Sequence, residues 1–223
     1  MVSHSLHRRG DVELLKRDWL LKATPVKGVD NATEESKKDY LSRIRAVCDV
    51  TAKYAINMGI GRSGCFACGV SLEEIKTSYD RIGVAGISSA VMTSREAVKA
   101  YLQELKEKDY DISVCVSGLI EEVFEIGREI GLPPHSILLS LGVWGKKELL
   151  PSENVLTITT MCGHHMLAPN LVEFVAAQVK AGNLPLMEAA HRLSRVCTCG
   201  SINEPAVIEV LQKMVAEGSP NGD

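Results

Sequence analysis

Three cysteine–glycine pairs carry the chemistry legible in this chain: Cys68-Gly69, Cys162-Gly163 and Cys199-Gly200. Two have a second cysteine close by, giving Cys65-x-x-Cys68 and Cys197-x-Cys199, and the third runs into two histidines, Cys162-Gly163-His164-His165. Each pair stands shortly before a stretch that reads as a helix start, where unpaired N–H groups and the helix dipole favour a thiolate. The glycine beside each cysteine, Gly69, Gly163 or Gly200, lets the backbone approach a bulky inorganic group. Together they predict a metal or iron–sulfur centre assembled from three distant segments. Its candidate ligands are Cys65, Cys68, Cys162, Cys197 and Cys199.

The spacings narrow the chemistry. Cys65-x-x-Cys68 lets two thiolates meet one metal, as in zinc and iron–sulfur sites. A redox dithiol of thioredoxin type wants a strand directly before it. Here a helical stretch and the glycine-rich Gly61-Arg62-Ser63-Gly64 come first. In Cys197-Thr198-Cys199 two neighbouring loop thiols would be exposed and reactive without a metal, so ligation is the favoured role. His164 and His165 offer either ligand nitrogens or a proton carrier near neutral pH, and are the candidate catalytic acid and base. Thiolates 65, 68, 197 and 199 could close a tetrahedral zinc site or hold a cluster, leaving Cys162 spare. Alternatively, one cysteine from each Cys-Gly pair holds a [4Fe–4S] cluster with one iron open. That Lewis-acid arrangement suits dehydration, elimination or sulfur chemistry. The abundance of thiols and their spread along the chain favour iron–sulfur over a compact zinc module.

Composition bounds the rest. The chain has 223 residues, 45% of them apolar and 24% charged, enough for a substantial core without staples. A net charge of −3 and only 4% aromatic residues argue against nucleic acid or an anionic membrane as partner. No run reaches the roughly 18 apolar residues of a membrane span, and the N-terminus lacks an apolar signal core. The expected compartment is the cytoplasm, where seven reduced cysteines are better read as ligands or nucleophiles than as disulfides. Phosphate-loop, dinucleotide-loop and nucleophile-elbow motifs are missing.

The elements that must position these residues alternate in type. Residues 11–22 form a short helix or strand. Residues 34–58 have helical spacing, with Cys48 on the apolar face as a buried inert thiol. A capping box at Ser71 starts a helix to about Asp80. Strands are expected at 84–92, 111–116, 136–143 and 155–161, and helices at 94–108 and 119–130. Cys115 sits within the second of these strands, as a small core residue or a group facing the site. Helices at 170–180, 186–195 and 206–217 complete the chain, with Pro169, Asn203 and Pro205 marking helix starts and a disordered tail beyond 217. The alternation predicts an α/β fold with a mostly parallel central sheet. Its parts would be a helical segment carrying Cys-x-x-Cys (1–80), an α/β core (81–168) and a helical segment carrying Cys-x-Cys (169–223). Cys162 would then end a strand and face the site beyond the sheet.

The function these observations predict is an iron–sulfur enzyme of anaerobic-type metabolism. It would be an oxidoreductase or lyase acting on a small molecule, with a redox protein as the other expected partner and a homo-oligomer formed through apolar C-terminal helices. A carrier, delivery or sensor protein for a metal or cluster is the alternative, and a zinc-binding protein the third.

Overall fold

The computed structural model describes residues 8–25, 33–60, 64–66, 77, 88–140, 142–197 and 199–217. Cys68, Gly69, the turn at 61–63, the C-terminal tail and, Thr77 apart, the helix expected from Ser71 lie outside the described residues. Contacts within the chain group it into two units. One holds 16–135 and 198–201, and the other holds 1–15, 136–197 and 202–223.

The first unit is built on five strands: β1 (Trp19–Pro25), β2 (Asn57–Ile60), β3 (Gly64–Phe66), β4 (Ser88–Met92) and β5 (Ile112–Ser117). They line up in the order β3-β2-β4-β1-β5, and every neighbouring pair is antiparallel. The mostly parallel sheet expected from the sequence is therefore corrected. The helical crossovers are real: α2 (Glu34–Tyr54) joins β1 to β2, and α3 (Arg95–Lys108) joins β4 to β5. In each case the joined strands run the same way but admit a third, antiparallel strand between them. This is the split β-α-β arrangement of ferredoxin-like folds, with β3 added at one edge. Helix alternation is common to both layouts, so it could not separate them. The face of β1 that carries Trp19, Leu21 and Ala23 is covered, while on the other face Leu20 is buried and Lys22 and Thr24 are half-buried.

That covered face packs against α2, α3 and α4 (Ile120–Glu129). Trp19, Leu21 and Ala23 meet Val47, Val50, Met92, Val98, Tyr101, Leu102, Leu105 and Ile126 in one apolar cluster. The helix starts are those the sequence suggests: Thr33 accepts from the Ser36 N–H and Ser94 from the Ala97 N–H. Cys48 is fully buried on α2, as expected.

The second unit is helical: α1 (Val12–Leu15), α5 (Glu153–Thr160), α6 (Pro169–Lys180), α7 (Leu186–Ser194) and α8 (Glu204–Glu217), with a short 3-10 turn at Lys147–Leu149. Two expected strands are corrected here. Residues 155–161 belong mainly to α5. Ser152 caps it, and Thr157 and Thr160 turn their hydroxyls onto the carbonyls of Glu153 and Leu156 at 2.8 and 2.7 Å. A run of β-branched residues imitates a strand, but threonine is tolerated in a helix when its hydroxyl bonds back to the preceding turn. The described part of 136–143 has no regular structure, and Ile137, Leu138, Leu139 and Val143 are exposed. Pro169 opens α6, and Asn203 Oδ1 accepts from the Ala206 N–H at 3.2 Å, as anticipated for these two helix starts. Among the described residues no helix is long and apolar enough to cross a membrane.

Candidate metal centre

Two buried thiols and one exposed imidazole converge in the helical unit. Cys162, His164 and Cys197 each offer a ligand atom, and these atoms all lie within 4.8 Å of one another. Cys197 Sγ stands 3.8 Å from His164 Nδ1. Ligand atoms on one tetrahedral zinc ion stand roughly 3.5–3.8 Å apart, from Zn–S of about 2.3 Å and Zn–N of about 2.0 Å. The set thus needs little contraction to hold a single ion. Three corners of a cubane cluster sit on three different irons, which spreads their ligands further than this.

Helix ends place both thiols, but not the ends expected. Cys162 lies two residues beyond α5, its N–H donating to Thr159 O at 3.2 Å. Cys197 follows α7, its N–H donating to Ser194 O at 3.1 Å. Both thiols therefore stand past helix C-termini, where the dipole disfavours negative charge. The compensation is local. The His165 N–H closes a tight turn onto Cys162 O at 3.0 Å, and His165 itself takes a left-handed φ of 55°. That turn brings the backbone N–H groups of Met166, His164 and Leu167 onto the Cys162 sulfur. A hydrogen bond with Cys197 is the largest influence on the Cys162 thiol, burial opposes it, and these N–H groups add to it, leaving the thiol at about 5. The Cys162 thiolate is thus favoured first by the Cys197 thiol and then by a backbone nest, rather than by a helix dipole. The expectation that Cys162 ends a strand is corrected with the element itself.

The remaining candidates are distributed elsewhere. Gly163 is the half-buried link between two ligands, and His165 is exposed beside them. Cys65 occupies the middle of β3 in the sheet unit, and Cys115 is exposed on β5. Cys199, half-buried, belongs with the sheet unit although Cys197 belongs with the helical one. Gly200 takes a left-handed φ of 62°, a conformation glycine adopts without strain.

Sequence reasoning gave His191 no role and passed over Ser194 and Glu204. The buried Glu204 carboxylate accepts from Ser194 Oγ at 2.5 Å, and His191 Nδ1 lies 3.5 Å from it. This contact ties the end of α7, just before Cys197, to the start of α8. The available signal was a glutamate at a helix start followed by the apolar spacing of 206–211. No protein-family model, curated protein or solved structure matches this chain.

Proposed function

We propose that the helical unit binds a single thiophilic metal ion of the zinc class through Cys162, His164 and Cys197. One observation carries the proposal: three donors of the right chemistry lie within one ion's reach. Three protein ligands leave a fourth position for water or substrate, the pattern of catalytic rather than structural zinc. An ion there polarises an oxygen donor of a small molecule, in lyase-type chemistry. His165, exposed next to the ligand His164, is the residue placed to move a proton. Thiolate ligation requires a reducing compartment, for which the cytoplasm is the proposed site.

A carrier or delivery role is the second reading, favoured by the exposure of His164 on an otherwise buried donor set. Such a ligand can leave first and open the ion to a recipient.

The test is metal analysis of protein purified without oxygen, followed by cobalt substitution. The expected result is about one ion per chain and a tetrahedral cobalt spectrum with thiolate charge transfer. Cys162→Ser and Cys197→Ser should lose the ion, whereas His165→Ala should keep it and lose turnover. Stoichiometric iron with acid-labile sulfide would replace the single ion by the iron–sulfur cluster that the thiol count suggests.

A further inference from the structure

The sheet stops at β5 without any device to end it. This strand stands last in the strand order, and among the described residues no strand pairs with its outer edge. Its sequence, Ile-Ser-Val-Cys-Val-Ser, holds no charge and no proline, the features that keep an edge from pairing with another chain. The opposite edge strand, β3, is only three residues long, which is protection in itself. The core runs out at β5 too. Trp19, Leu21 and Ala23 on β1 are at most 1% exposed. Val114 and Val116, their register neighbours on β5, are only partly buried, as are Ile112 and, at α4, Val123 and Ile130. The border of the sheet is an apolar lip beside an edge that no described strand covers.

The same chain holds a segment with the complementary need. Residues 136–140 have no regular structure, and no hydrogen bond ties Ile137, Leu138 or Leu139 to another described residue. Seven large apolar residues between 137 and 150 are at least 40% exposed, Trp144 by 82%. We propose that residues 136–140 of one copy lie along the outer edge of β5 in a second copy, and that the exchange is reciprocal. A segment added there extends the sheet through main-chain hydrogen bonds, with alternate side chains giving the fit. Ile137 and Leu139 then fall on one face and cover the lip of Ile112, Val114 and Val116. The area suits a stable pair. A monomer's largest apolar patch is about 300–600 Å², and one arm of seven such residues already matches it. Reciprocal exchange doubles the arms and adds both β5 lips, reaching the roughly 1,200–2,000 Å² of a standard interface. A two-fold exchange uses both arms and both β5 edges, so it closes as a dimer.

The experiment is analytical ultracentrifugation of the full chain at micromolar concentration, under reducing conditions that keep Cys115 from crosslinking two copies. Wild type should sediment at twice the 24.2 kDa of one chain. Leu139→Asp on the arm and Cys115→Lys on the edge should each sediment as monomers with wild-type circular dichroism, since both residues are exposed in the single chain. Cys115→Ser should stay a dimer. Should Cys115→Lys not fold, Ser113→Lys on the same face takes its place. The two monomeric variants are then mixed. The intact arm of one meets the intact edge of the other, so a heterodimer should form that neither variant forms alone. The proposal is overturned by a monomeric wild type, by an edge lysine variant that stays dimeric, or by a monomeric Cys115→Ser. A mixture that stays monomeric also overturns it, because contact between two arms, unlike an arm on an edge, is not rescued in this way. Wild type that is monomeric and floats with phosphatidylglycerol vesicles overturns it in favour of a membrane surface as the occupant of the arm.

Discussion

Cys162 shows what a neighbouring thiol, Cys197, and a few backbone groups do to one thiol. Its folded value of about 5 lies below that of an ordinary thiol, near 8.5. A group depressed on folding contributes stability that is complete above its unfolded value and is lost as pH falls through its folded value. For the metal-free protein the window therefore runs from about 8.5 down to about 5. Wild type should show a thiolate ultraviolet band at pH 7 that Cys162→Ser lacks, and the band should fade only near pH 5. A band that appears only above pH 8 would show that the Cys197 thiol and the nest of N–H groups do not hold the charge. At this scale much was legible. Cysteine and histidine at short spacing announce ligation whatever the fold, so Cys162, His164 and Cys197 were all named as candidates. What spacing could not reveal was the splitting of Cys197 from Cys199, because that depends on which unit each side of Thr198 joins.

Among the elements, the amphipathic helices were plain because their apolar faces repeat on the helical period. Tyr40, Ile44, Val47 and Thr51 are buried along α2, and Val98, Tyr101, Leu102 and Leu105 along α3. Strand direction was hidden, since pairing is set by long-range partners rather than by local residues. The α5 helix was hidden because Thr157 and Thr160 satisfy their hydroxyls within it. The junction of α7 and α8 carries a prediction of its own. Ser194→Ala removes the hydroxyl that donates to the buried Glu204 carboxylate. Hydrogen bonds to charged groups contribute about 1.5–3 kcal/mol, and urea unfolding should register a loss of that order. Because Cys197 hangs from the Ser194 carbonyl, metal affinity should fall roughly 10-fold, as for supporting contacts around metal ligands. Full stability with wild-type affinity would mean that the α7–α8 contact does not position the thiol. Asn203→Ala, which removes the cap on α8, should cost at least about 1 kcal/mol.

For the whole molecule, the two units predict separate responses to metal. The donors Cys162, His164 and Cys197 all fall in the helical unit, whereas Trp19 is fully buried in the core of the sheet unit. Metal bound to the folded form only adds stability to the unit that holds it. Chelation should therefore lower the temperature at which the share of the helical circular dichroism contributed by α5 to α8 is lost, and leave the share from α2 to α4 and the blue-shifted emission of Trp19 in place until a later transition. Gly118→Ala should do the reverse. A Cβ there would come within 2.5 Å of the Trp19 ring, overpacking that core at a cost of about 1–3 kcal/mol, with no group of the metal centre touched. The Trp19 transition should move down while metal stoichiometry stays as in wild type. Coincident transitions by both probes, shifting together in either experiment, would show that the chain unfolds as a single cooperative body and that metal binding is coupled to the sheet as tightly as to the helices.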